Sequence, residues 1–168
     1  MKYGILRYFN VAGASPSGLI GEIETSHGHL IKNIAIQSLK KNPKIKIYGN
    51  DYETKDGTCI RDYIHVVDLA KAHIKSLKRL IENKNILNYD VFNIGTGKGS
   101  SVMEVIKSFE KVSGQKLKYI IGPKRKGDII EAYADTKKAN KILNWKTEQN
   151  LDQAMLSAWE WEKKLQQI

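Results

Sequence analysis

The 168-residue chain contains one cysteine, Cys59, and three prolines. A lone thiol cannot close an internal disulfide, and it excludes a cysteine-rich metal site. A reducing compartment such as the cytoplasm suits it. Few prolines and thirteen glycines exclude collagen-like and proline-rich disordered chains. No apolar run approaches the roughly 20 residues that span a bilayer, so no membrane partner is expected. The opening MKYGILRYFN lacks the apolar core and small-residue cleavage site of a secretion signal. Arginine is scarce too: Arg7, Arg61, Arg79 and Arg125 are four of 28 basic residues, so 24 are lysine. The net charge of +10 invites a nucleic acid. Base readout favours clustered arginine, whereas these lysines are scattered, with no basic run longer than 124–126. The charge therefore reads as a solvated lysine surface, and no nucleic-acid partner is expected.

With 41% hydrophobic and 27% charged residues, the composition supports a core, and the length fits one domain or one domain plus a piece of another. The apolar run 5–9 reads as a buried strand, with Arg7 a buried ion-pair partner or structural residue. Residues 29–41 have helical spacing, stopped by Asn42-Pro43. KIKIY at 44–48 alternates as a strand. Residues 66–81 form the clearest helix, with Leu69, Ala72, His73, Leu77 and Leu80 as its inner stripe. A strand at 90–94 leads through glycines to a helix at 102–112, capped by Ser100 or Ser101 and ended by Gly114. A strand at 117–121, a short helix behind Asp135 or Thr136 and a terminal amphipathic helix at 151–165 complete the chain. The alternation of strands and helices is α/β.

The glycine turn 95–99, GTGKG, sits between strand and helix as a dinucleotide fingerprint would. Its spacing is G-x-G-x-G, and no acidic residue follows about 20 positions on, so it reads as a tight structural turn. GTCIRDYIH at 57–65 places Arg61 where loop meets strand. Arg125, in KRKGD at 124–128, is the second arginine of a loop. The two could clamp a pyrophosphate through paired charge-assisted hydrogen bonds. Asp51, Asp56, Asp62 and Asp68 are expected to serve turns, to partner Arg61 and, at Asp68, to cap a helix. His65 and His73 read as packed histidines. His27 and His29 are too few to hold a metal, and no metal site is expected. Trp145, Trp159 and Trp161 read as core residues.

LRYFNVAGASPSGLIGE (6–22), IYGNDYETKDGTCIRDYIHVVDLAKAH (47–73), FNIGTGKGSSVMEVI (92–106), RKGD (125–128) and YADTKKANKILNW (133–145) occur in one order. This ordered set resembles the C-terminal half of the UDP-glucose 4-epimerase family, within the extended short-chain dehydrogenase/reductases. The resemblance implies the C-terminal substrate-binding portion of an NAD(P)-binding Rossmann-type fold, with the Rossmann core largely missing. Across 1–168, residues 5–9 and about 62–94 are then expected to complete the sheet of an absent N-terminal domain, leaving a face that invites association. NAD would be held mainly by that absent half. Asn10, His29, Leu30, Lys46, Ile47, Tyr48, Arg61, Arg125 and Asp128 would bind a UDP-sugar, and the Phe9 backbone would meet the cofactor. No catalytic residue is expected here. Tyr3, Tyr8, Tyr63 and Tyr119 have no lysine four positions on, and the family's Tyr-x-x-x-Lys set is taken to lie elsewhere.

The implied function is the substrate-binding half of a UDP-glucose 4-epimerase, an NAD-dependent isomerase of galactose metabolism, inactive alone, whether as a truncated gene product, a split gene product or an excerpt. The alternatives are an epimerase for another UDP-sugar such as UDP-N-acetylglucosamine, and a non-catalytic nucleotide-sugar binding module or subunit of a split enzyme. The partners implied are a UDP-sugar, a homodimer in the full-length family and a separately encoded Rossmann half.

Overall fold

A computed structural model describes residues 1–23, 29–43 and 45–167. The elements run β1 (Tyr3–Tyr8), β2 (Asn10–Ala12), α1 (Leu30–Ser38), β3 (Ile45–Tyr48), β4 (Ile60–Arg61), β5 (Tyr63–His65) and α2 (Val66–Ile81). There follow β6 (Tyr89–Ile94), β7 (Ser100–Ser101), α3 (Val102–Ser113), β8 (Tyr119–Gly122), β9 (Glu131–Ala132), α4 (Lys137–Leu143) and α5 (Leu151–Leu165). The expected strand start at Lys44 and the histidine His27 lie outside the described residues. The strands are short and pair mostly in parallel: β1 with β6, β2 with β5 and β3 with β8. β4 pairs antiparallel with β7 and parallel with β9. The class is mixed α/β, as expected.

Local chemistry sets several boundaries. His65 is the N-cap of α2, its Nδ1 accepting the Val67 N–H at 3.1 Å. Capping boxes start α3 (Ser101 with Glu104) and α5 (Asn150 with Gln153). Gly114 ends α3 in the left-handed conformation, φ 70°. In β3 the alternation buries Ile45 and Ile47 and turns Lys46 and Tyr48 outward.

Two apolar cores result. The larger joins α1, α3, α5 and β3 through Ile34, Ile45, Ile47, Ile106, Phe109 and Met155. Trp159 meets Phe109 edge to face at 5.8 Å. The second core gathers Ile64, Leu69, Ala72, Phe92 and Ile94 beneath Ala139, Leu143 and Trp145. A buried ion pair, Lys32 to Glu162 at 2.8 Å, ties α1 to α5. Trp161 donates its indole N–H to the Glu22 carbonyl at 2.9 Å and holds the preceding loop there.

Some expectations fail on one face. The run 5–9 is not a buried strand: Tyr3, Ile5, Tyr8 and Phe9 are 39–45% exposed, and Arg7 is exposed rather than ion-paired in a core. Among the described residues β1 hydrogen-bonds only to β6, so its other edge is open. The helix beside it is phased differently from the expected stripe. Asp68, Leu69, Ala72 and Ser76 are buried, while His73, Leu77 and Ile81 face outward. The apolar arc of this helix is broad, running from Ala72 and Leu69 round to Leu77 and Ile81, so its centre does not fix which flank the sheet covers. Asp68 does not cap α2 either. It lies within the first turn, and its carboxylate accepts the N–H groups of Glu148 (3.0 Å) and Gln149 (2.8 Å). α1 begins at Leu30 and ends at Ser38, shorter than its expected span, and β8 begins at Tyr119 rather than 117.

Candidate functional site

Strand alternation builds one wall of a cleft of about 320 Å3. Cys59, Arg61 and Tyr63, two residues apart, all line it. Opposite them β3 contributes Lys46, Ile47 and Tyr48, and α1 contributes His29, Leu30 and Asn33. Asn10, Val102 and Arg125 close the remaining sides.

The cleft suits an anion attached to a flat ring. Arg61 is half-buried, donates Nη1–H to its neighbour's carbonyl, Ile60 O, at 2.8 Å, and has no carboxylate in ion-pair range among the described residues. That corrects the expectation that a nearby aspartate partners it. α1 begins in the cleft with no side-chain cap and no acidic residue in its first turn. Its first N–H groups, without a side-chain cap among the described residues, and its positive dipole end therefore face the same space as Arg61. Arg125 lies 4.9 Å from the centre of the Tyr48 ring and Lys46 Nζ 5.2 Å from it. Burial pushes the Tyr63 phenol up to about 12 against the pull of the Arg61 charge, so it stays a neutral donor.

Eight expected ligand residues thus meet in one place: Asn10, His29, Leu30, Lys46, Ile47, Tyr48, Arg61 and Arg125. Asp128 does not line the cleft; it grips Arg125 from behind, accepting Nε–H at 2.9 Å and Nη2–H at 3.0 Å. Phe9 stands apart at the bend between β1 and β2, on the open face. Asn33, Cys59, Tyr63 and Val102 were not anticipated. The first lies one turn after Leu30, and the next two share the Arg61 side of an alternating strand, so periodicity alone could have found them.

The N–H groups of the glycine turn 95–99 already hold an anion of the protein's own, as a structural turn would. The fully buried Asp62 carboxylate accepts the Thr96 N–H and hydroxyl (2.9 and 2.8 Å), the Gly97 N–H (3.3 Å) and, from a third segment, the Ala134 N–H (3.1 Å). A side chain at Gly95 would place its Cβ 2.3 Å from Asp62 Oδ2. Phe9 lies outside the cleft lining. The spacing Tyr-x-x-x-Lys does occur once, at Tyr133 and Lys137, which corrects the expectation that the chain has none. Tyr133 precedes the helix that Lys137 begins, and neither lines the cleft.

A profile of the NAD dependent epimerase/dehydratase family matches residues 1–95. The chain is 46% identical to the UDP-glucose 4-epimerase of Lactobacillus helveticus over 165 residues, 97% of this chain and 49% of that protein. Its fold superimposes on a UDP-glucose 4-epimerase from Stenotrophomonas maltophila with bound NAD and formylated UDP-arabinopyranose, with a TM-score of 0.91 at 36% identity, covering 99% of this chain and 49% of that one. A UDP-glucose 4-epimerase from Bifidobacterium longum in complex with NAD+ and UDP gives 0.84 at 44% identity, covering 97% and 48%. The chain spans about half the length of the relatives it matches. With more than half of its residues inside the family profile, the chain belongs to the NAD-dependent epimerase/dehydratase family.

Proposed function

We propose that this chain is the UDP-sugar-binding half of a UDP-glucose 4-epimerase. The observation that carries the reading is the Arg61 guanidinium, free of any carboxylate among the described residues, in one cleft with the uncapped start of α1, Arg125 and the Tyr48 ring. Two fixed cations and a helix N-terminus suit a pyrophosphate. Tyr48, 40% exposed, offers a ring to a flat base. Asn10, at the start of β2, borders the same space. Holding the remote nucleotide places the sugar for chemistry done by other groups.

The complementary half fits the open face. Tyr3, Ile5, Tyr8 and Phe9, with Ile74, Leu77 and Ile81 of α2, expose apolar surface beside an unpaired strand edge. An N-terminal Rossmann half, with its NAD and its catalytic tyrosine and lysine, would cover that face, and 5–9 and about 62–94 would join its sheet. Among the described residues no helix is long and apolar enough to cross a membrane, and the unpaired thiol of Cys59 accords with the cytoplasm.

Calorimetric titration of the chain with UDP tests the binding reading. Binding is expected, weakened about tenfold or more by Arg61→Ala, since charge-assisted bonds are the strong ones. Absence of UDP binding, or an Arg61→Ala variant that binds as the parent does, refutes it.

A further inference from the structure

Resting on the nucleotide reading of the cleft, we propose that Tyr52 is a positioning residue: acting through Asp128, it holds the Arg125 guanidinium so that its free N–H groups face the diphosphate. Tyr52 lies outside the cleft lining and is 8% exposed. Its hydroxyl donates to Asp128 Oδ2 at 3.2 Å. That same oxygen accepts the Arg125 Nε–H, and Oδ1 accepts an Nη2–H. A guanidinium has five N–H groups, so three remain for a ligand once Asp128 has taken two. The tyrosine fills the second acceptor direction of Oδ2 and fixes the plane of the carboxylate, which in turn fixes the fork of the arginine.

The loop around Tyr52 is built to hold it still. A Cβ at Gly49, where φ is +78°, would meet the Tyr52 ring at 2.5 Å; one at Gly57, also at +78°, would meet the Asn50 carbonyl oxygen at 2.0 Å. Tyr52 N–H donates to Gly57 O at 3.0 Å and closes the loop. On its other side Lys124 Nζ sits 4.6 Å from the ring centre and ion-pairs with Asp51 at 3.2 Å. Burial, with Cys59 and Asp128 nearby, pushes the phenol up to about 12, so it remains a donor throughout the usable pH range. Arg125 has no comparable confinement of its own, its side chain being 59% exposed. Freed from Asp128, it would spread over solvent rotamers and lose its preorganisation.

The test is UDP calorimetry on the chain and on Tyr52→Phe, Arg125→Ala and their double variant, with a thermal melt of each. Tyr52→Phe keeps the ring and loses only the hydroxyl. It is expected to bind UDP about fivefold more weakly at unchanged melting temperature, the effect of one positioned hydrogen bond. In the Arg125→Ala background the same change is expected to have no further effect. A general loosening of the fold would instead act equally in both backgrounds, and that outcome overturns the proposal. Asp128→Asn reads the other end of the bond and should likewise be non-additive with Tyr52→Phe. Should the parent chain fail to bind UDP, the nucleotide reading falls and this one with it. Should the parent bind and Tyr52→Phe bind equally well, only the role of Tyr52 is lost.

Discussion

Replacing Asp62 by alanine should be among the most damaging single changes in the chain, because it removes the acceptor for three backbone N–H groups at once, while the Thr96 hydroxyl keeps the Lys98 carbonyl, 2.6 Å away, as an acceptor. Of these the Ala134 N–H is the most enclosed, its residue being 3% exposed; Thr96 and Gly97 are half-buried and partly reachable by water. An orphaned buried donor costs about 1–3 kcal/mol, so ~2 for Ala134 and roughly 0.5–1 for each of the others gives a loss of ~3–4 kcal/mol. For a domain stabilised by only about 5–15 kcal/mol that is a large fraction. Asp62→Asn should be milder, ~1–2 kcal/mol. Its amide oxygen can occupy the Oδ2 position and keep the Gly97 and Ala134 bonds and the 3.1 Å contact of the Thr96 N–H, while the charge and the Oδ1 acceptor are lost. Urea unfolding followed by tryptophan fluorescence reads both, with the slope checked for constancy. With a slope near ~2 kcal/mol per molar, the alanine midpoint should fall by about 1.5–2 M. An alanine variant within about 0.3 M of the parent, or an asparagine variant as damaged as the alanine one, would refute the reasoning.

Lys32→Met should cost ~3–5 kcal/mol by stranding the Glu162 carboxylate in a pocket where both side chains are at most 10% exposed, and adding Glu162→Leu should restore most of it in the same urea assay. A double variant as unstable as the single one contradicts that account. His65 gives the pH dependence. With Nδ1 accepting the Val67 N–H, Nε2 must carry the proton facing Ser157 Oγ, 3.1 Å away, and burial lowers the imidazole below its usual 6.5, Lys71 adding to this and Asp68 opposing it. A lowered value in the fold means the neutral ring is favoured there. Stability is therefore full above 6.5 and falls as pH drops through that value, and a His65→Asn variant should show a flatter profile over this window.

The helix at 66–81 was legible in full because its start and end are set locally, by a cap and by the last apolar turn. Its rotation was not, since its apolar arc is broader than the sheet covers and only the position of the sheet decides which part is buried. For the same reason the run 5–9 read as buried: an apolar strand announces that it needs cover, not whether the chain supplies it. The cleft was legible where a string carries its own chemistry, as at Arg61, Arg125 and Tyr48. The glycine turn was correctly read as structural, yet its reason lay in Asp62, a residue 34 positions from Thr96 and 72 from Ala134. Asp128 reads from the sequence only as a UDP-sugar ligand, and its grip on Arg125 follows from a three-residue spacing whose geometry the sequence leaves open.

The division into two cores has a consequence for how the molecule breathes. Ile47 and Tyr63, together with Leu30 and Val102, tie the cleft to the larger core; β1 and the outer face of α2, which expose apolar side chains, flank the second. Opening of the uncovered side can therefore proceed as a local event while the recognition side stays folded. In native-state hydrogen exchange, the amides of α3 and α5 would outlast those at the free edge of β1. On the reading proposed above, nucleotide binding and docking of a second half would then rest on separate blocks of one short chain, so one could be altered without dissolving the other.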